Sequence, residues 1–176
     1  MKSRYESIVE GCKHRKSDAQ RALYEELSPM VFGVCLRYAD SRDDAKDMMQ
    51  DAFVKVYERI GSLKDPSRLR VWTYNIAINT CIDAFRRRRM MPAAIDIGSL
   101  ADEEEEPLAY TMDEMVAALQ QITSRQRMVF NMCCIEEMPA DKVAERLGCT
   151  ASNVRAVLCD ARRNIRNILE TKNKNI

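Results

Sequence analysis

Between residues 90 and 115 the chain carries eight acidic side chains and no basic one, with Asp102-Glu103-Glu104-Glu105-Glu106 at the centre and Pro92, Gly98 and Pro107 around it. Like charges at that density repel and resist packing, so one core cannot run the length of the chain. On the N-terminal side, residues 1–89 hold 18 basic and 13 acidic side chains; on the C-terminal side, residues 116–176 hold ten and six. The overall net charge of +1 hides this alternation. We expect two small domains, residues 1–89 and 113–176, joined by an acidic flexible linker at 90–112. Only five Gly and five Pro stand among 176 residues. That is too few turn formers for a β sandwich or a Gly-rich phosphate cradle, so the expected fold class is all-α.

The same inventory limits the chemistry. The chain has one His and seven Cys, with no CxxC pair; Cys12 and His14 make only a C-x-H, and Cys133-Cys134 are neighbours that do not readily share an ion. No enzyme activity, catalytic residue, metal or cofactor is expected. The cysteines read as reduced thiols serving as small core residues. The opening MKSRYESIVEGCKHRK is charged throughout, without the apolar core of a signal peptide. No run approaches the roughly 20 apolar residues that span a bilayer. A cytoplasmic protein with no membrane insertion is therefore expected.

Apolar spacing places the helices. Leu23, Leu27, Val31, Val34 and Tyr38 form one stripe, which Pro29 is expected to kink or divide into two helices. In SRDDAKDMMQDAFVKVYERI, the residues Ala45, Met48, Met49, Ala52, Phe53, Val56 and Ile60 recur at helical spacing; Ser41 or Asp43 is expected to cap the start and Gly61 to end it. Asp44, Asp47, Asp51, Lys55 and Glu58 fall on the outer face. In SRLRVWTYNIAINTCIDAFRRRR, Val71, Tyr74, Ile78, Cys81, Ile82 and Phe85 are expected to face the core. A second arc carries Trp72, Ile76, Asn79, Asp83, Arg86 and Arg87. Arginines that meet phosphates, an Asn that reads base edges and an indole that stacks on unpaired bases suit nucleic acid.

The C-terminal block has the order of a helix-turn-helix. Pro139 suits a first helical position, Val143, Ala144 and Leu147 give a short apolar face, and Gly148 supplies the left-handed turn. Thr150 or Ser152 caps a second helix whose stripe is Val154, Val157, Leu158, Ala161, Ile165, Ile168 and Leu169. Its other face begins with Ser152, Asn153, Arg155 and Ala156 and continues through Cys159, Arg162, Arg163 and Arg166. The start of such a helix meets base edges in the major groove. Upstream, Ser124 is expected to cap a buried helix through Met128, Val129, Phe130, Met132, Cys133 and Ile135.

Taken together, these segments resemble the extracytoplasmic-function (ECF) class of bacterial RNA polymerase sigma factors, within the sigma-70 family. DAKDMMQDAFVKVYERI is similar to the family's core-polymerase-binding helix, and SRLRVWTYNIAINTCIDAFRRRR to the helix that follows it. ITSRQRMVFNMCCIEEMPADKVAERLGCTASNVRAVLCDAR resembles the second DNA-binding domain, with Thr123-Ser124 where members often have Leu-Pro. The resemblance implies a region-2-like domain at 1–89 that binds core RNA polymerase and the minus-10 element, and a region-4-like domain at 113–176 that binds the minus-35 element. It implies that Asp47, Gln50 and Asp51 contact the β′ clamp helices, and that Trp72, Asn79, Asp83, Arg86 and Arg87 face melted minus-10 DNA, with a base held near the loop before Ser67. It implies that Ser152, Asn153, Arg155, Ala156, Arg162, Arg163 and Arg166 meet the minus-35 element, that the β flap touches this domain, that the linker enters the RNA path, and that an anti-sigma factor is a partner. Where members often have Arg, this chain has Val157 and Asp160, which remove positive charge from the recognition helix. The alternative is a stand-alone helix-turn-helix DNA-binding regulator, which would need no polymerase-binding surface.

Overall fold

A computed structural model describes residues 4–89 and 110–173. Among the described residues there is no strand, and no helix is long and apolar enough to cross a membrane. The helices are α1 (Arg4–Lys13), α2 (Ser17–Tyr38), α3 (Arg42–Arg59), α4 (Leu69–Arg89), α5 (Met112–Leu119), α6 (Ser124–Phe130), α7 (Ala140–Leu147) and α8 (Ala151–Asn173). The chain divides into two compact units, Met1–Ala84 and Phe85–Ile176. The acidic run expected to form a linker lies outside the described residues.

In the first unit α2 packs against both α1 and α3. Leu23, Leu27 and Val31 of α2 are fully buried, each stabilising the fold by about 2 kcal/mol. Gly11 of α1 lets the α1–α2 hairpin close, since a Cβ there would stand 2.4 Å from the Ala19 Cβ. One helix runs through Pro29, so the expected division of α2 does not occur. Leu27 and Val31 on either side are held in the core, and this burial offsets the hydrogen bond that proline cannot make. Ser41 caps α3, its Oγ accepting from the Asp44 N–H at 3.1 Å. Gly61 does not end α3 as a left-handed cap. The helix stops at Arg59 and tightens into a 3-10 turn, Ile60–Ser62, closed by the Leu63 N–H on the Ile60 carbonyl at 3.2 Å.

In the second unit, Thr111 with Glu114 and Thr123 with Gln126 form capping boxes on α5 and α6. Thr123, rather than the expected Ser124, caps α6, because the N-cap side chain must reach the amide of N3. The buried Arg127 donates from Nε to the Leu119 carbonyl (2.7 Å) and from a terminal nitrogen to the Ile122 carbonyl (3.1 Å), satisfying the end of α5. α6 widens into a π turn, Asn131–Ile135, where Cys133, Cys134 and Ile135 are only half-buried. Met115, Leu119, Ile122, Phe130, Ala161, Ile165 and Leu169 share one core. Pro139 occupies the cap of α7 rather than its first helical position. Gly148 has φ 66°, and the Cys149 N–H closes back on the Ala144 carbonyl at 3.1 Å. Thr150 then caps α8, its Oγ1 accepting from the Asn153 N–H at 3.2 Å.

Candidate nucleic-acid interface

Burial of one side of α3 leaves the opposite side open. Asp47, Gln50 and Asp51 are all exposed there. Two other members of the expected outer face are used inside the fold. Asp44 is half-buried and accepts from the Asp40 N–H at 2.9 Å; Lys55 pairs with Asp83 of α4 at 3.0 Å. Val54 extends the open row, standing three residues after Asp51 and 54% exposed. The sequence reading missed it. An exposed β-branched residue at the spacing of a polar row is the signal that could have found it. Carboxylates with an apolar side chain at the end of their row suit a cationic protein surface that also offers apolar area.

The open face of α4 is turned from its expected position. Val71, expected in the core, is 62% exposed, and Ile76, expected on the open arc, is buried at 7%. The reason lies in two threonines. Leu69, Thr73, Ala77, Thr80 and Cys81 are all wholly buried and define the inward stripe. Thr80 hides its hydroxyl by donating to the Ile76 carbonyl at 2.8 Å. The outward face therefore presents Val71, Asn75, Asn79, Arg86 and Arg87, all exposed, with Trp72 and Asp83 half-buried beside them. Asn75 and Val71 are additions that the sequence reading did not make. The loop entering α4 is shaped by Asp65, whose Oδ1 accepts from the Ser67 N–H (2.9 Å) and hydroxyl (2.7 Å). These two donors hold the Asp65 carboxyl below its ordinary range.

On α8, Ser152, Arg155, Arg162 and Arg163 are exposed, while Asn153 and Arg166 are half-buried. Ala156, expected among the exposed residues, is buried at 7%. α5, α6 and α7 all pack on α8, so more of its circumference is covered than one apolar stripe predicts. Several of the exposed charges have partners. Arg155 lies 3.9 Å from Asp141 of α7, and Arg163 lies 3.4 Å from Asp160. Arg162 approaches the Cys134 sulfur at 3.6 Å, and Arg125 of α6 donates to Asn153 Oδ1. The open arc of α8 thus combines a hydroxyl and a cluster of guanidinium groups beyond a helix-turn-helix turn, which suits phosphates and base edges.

Comparison with known proteins gives two family matches in order along the chain. The sigma-70 region 2 model matches residues 23–90, and the sigma-70, region 4 model matches residues 112–165. ECF RNA polymerase sigma factor SigG of Mycobacterium tuberculosis is 28% identical over 163 residues, covering 76% of this chain and 44% of SigG. The chain therefore spans less than half the length of that relative. RNA polymerase sigma-H factor of Pseudomonas aeruginosa is 24% identical over 180 residues, covering 94% of this chain and 93% of its own. RNA polymerase sigma factor YlaC of Bacillus subtilis is 29% identical over 160 residues, covering 85% and 90%. Among solved structures, the sigma factor RpoE from Bartonella quintana, crystallised with the anti-sigma factor NepR, is similar in fold. Its TM-score is 0.50 and its identity 18%, over 85% of this chain and 96% of that one.

Proposed function

The chain belongs to the sigma-70 family of RNA polymerase sigma factors, in its extracytoplasmic-function class, and from that premise we propose that it binds core RNA polymerase, directs it to specific promoters and helps melt the minus-10 element. Asp47, Gln50 and Asp51 of α3, with Val54 at the end of the row, meet the β′ clamp helices. The open face of α4, from Val71 through Asn75, Asn79, Arg86 and Arg87, meets the melted minus-10 strand, with Trp72 and Asp83 at its border. The Asp65–Ser67 turn, held by two hydrogen bonds before DNA arrives, is where an unpaired base is captured. The start of α8 reads the minus-35 element, while Arg162, Arg163 and Arg166 meet phosphates.

Residues 1–89 and 113–176 are the two binding domains, and 90–112 is the acidic linker that enters the RNA path. The C-terminal domain also touches the β flap. The protein works in the cytoplasm, and an anti-sigma factor is its natural antagonist. It supplies binding energy and base capture, and the polymerase supplies the covalent chemistry. The observation that carries this reading is the occurrence of a region 2 match and a region 4 match, in that order, on one chain. A stand-alone regulator would have no use for the first of them.

The deciding experiment is transcription from a library of randomised promoters by core RNA polymerase, with and without the full chain. Addition of the chain should enrich a paired minus-10 and minus-35 sequence among the transcripts. A transcript pool unchanged by the chain would refute the proposal. Sequence-specific binding by the chain alone, without any effect on start-site choice, would favour the stand-alone regulator.

A further inference from the structure

We infer that Arg125 orients the Asn153 side chain so that it meets the major groove chiefly as a hydrogen-bond donor, making Arg125 a positioning residue for base choice in the minus-35 element. The inference rests on the proposed docking of α8 and adds a specificity determinant to it.

The argument begins with the bond between the two side chains. Arg125, in the first turn of α6, donates from a terminal guanidinium nitrogen to Oδ1 of Asn153, in the first turn of α8. A guanidinium has five N–H donors and no acceptor. Whatever atom of Asn153 faces it must therefore be the amide oxygen, which fixes the orientation of an otherwise ambiguous group. The backbone of Asn153 is held as well, because its N–H is bonded to Thr150 Oγ1 at 3.2 Å. With its main chain in the cap and its oxygen on Arg125, Asn153 has its amide NH₂ directed elsewhere.

That orientation changes what an asparagine can read. An Asn with both amide atoms available pairs with adenine in two bonds, accepting from N6 and donating to N7. An Asn whose oxygen already accepts from a guanidinium has one lone pair left, and accepts from adenine N6 less readily. Its remaining donors match edges that only accept, namely guanine N7 and O6 or thymine O4. A neighbour on a different helix thus selects between base classes without touching a base.

The test uses the full chain with core RNA polymerase and promoters randomised across the minus-35 element. Asn153→Ala should abolish the preference at one base position. Arg125→Ala should raise acceptance of adenine at that same position by roughly fivefold or more relative to guanine and thymine. Arg125→Lys, which still donates a hydrogen bond, should keep the parent profile. Arg125→Met, which keeps the apolar stem, serves in place of the alanine variant if circular dichroism shows that Arg125→Ala does not fold. In an Asn153→Ala background, Arg125→Met should change no base preference. Arg125 variants that lower transcription from all sequences alike, while Asn153→Ala still alters one position, would overturn the inference and leave the docking of α8 standing. An Asn153→Ala profile identical to the parent would remove Asn153 from the reading face and overturn the inference with it. A parent chain with no minus-35 preference would overturn the proposed docking itself.

Discussion

Lys55 of α3 and Asp83 of α4 are joined by an ion pair, Nζ to Oδ2 at 3.0 Å, with side chains 23% and 49% exposed. The pair stands between two surfaces of different proposed use. One turn back on α3 is the exposed Asp51, in the row proposed to meet polymerase; on α4, the exposed Asn79 and Arg86 flank Asp83 on the face proposed to meet DNA. Asp83 is therefore occupied from within the fold. On the proposed docking, Asp83 holds the open face of α4 against α3, and the negative charge that would repel phosphate is offset by the Lys55 ammonium.

Removing either partner of this bridge should weaken the first unit modestly, because both groups keep contact with water. Double-mutant-cycle analysis of Lys55→Met and Asp83→Asn by urea denaturation should give a coupling of about 0.2–1 kcal/mol. Strict additivity of the two substitutions would show that the contact contributes nothing to holding α3 and α4 together.

Asp51→Ala should weaken binding to core polymerase at least tenfold while leaving thermal stability nearly unchanged. An exposed side chain contributes under about 0.5 kcal/mol to folding, whereas a charge at an interface acts on its partner. Val54→Ala should weaken the same binding less and without changing its salt dependence, since it removes apolar area only. Equilibrium binding to core enzyme measures both. An Asp51→Ala chain that binds as tightly as the parent would remove the α3 row from the interface.

Substitutions at Asn79 and Arg87 test recognition and attraction separately on the proposed DNA face of α4. Asn79→Ala should change which minus-10 bases are preferred. Arg87→Ala should weaken all promoters alike and lower the salt slope by about one. Open-complex formation on a set of minus-10 variants at several salt concentrations distinguishes the two. Equal losses on every promoter from Asn79→Ala would mean that this residue reads no base.

Much of this fold could be read from the chain because its local signals agree. Ser41 ahead of an apolar repeat starts α3, and a glycine between Leu147 and Thr150 closes α7 with a positive φ. What could not be read was the rotation of α4. Hydropathy treats Thr73 and Thr80 as polar, yet both are wholly buried, so the true inward stripe was discounted and Val71 took its place. A similar limit applies to Ala156. Angular position on α8 alone cannot tell that three other helices pack on it. The pairs Lys55–Asp83 and Arg125–Asn153 join residues 28 positions apart on different helices, and no periodicity encodes such a contact.

Gly148→Ala tests the turn on which the recognition helix depends. The residue has φ 66°, with nothing within 4 Å of an added Cβ, so the cost is backbone strain alone. Destabilisation of about 1–2 kcal/mol is expected. Gly148→Asn should cost less, because asparagine tolerates the left-handed region. Thermal unfolding of the three chains should rank them glycine, asparagine, alanine. Equal melting temperatures for the glycine and alanine forms would mean that the turn is not held in this conformation.

Asp160 stands between Arg155 and Arg162 on α8, the helix proposed to read the minus-35 element. Asp160 is half-buried and lies 3.4 Å from Arg163, so the Arg163 charge is partly neutralised before DNA arrives. Asp160→Arg removes that partner and adds a cation, a net gain of two positive charges on α8. Binding to promoter DNA should tighten, and the loss of affinity with rising salt should steepen by about one to two units of slope. Base preference in the minus-35 element should stay as it is, because Asp160 is two turns beyond Ser152 and Asn153, past the part of the helix that meets base edges. Asp160→Asn, which frees Arg163 without adding a charge, should fall between the parent and the arginine variant. The measurement is DNA affinity of the full chain with core polymerase across a salt series. A salt slope that does not change for Asp160→Arg would place this end of α8 away from the phosphates.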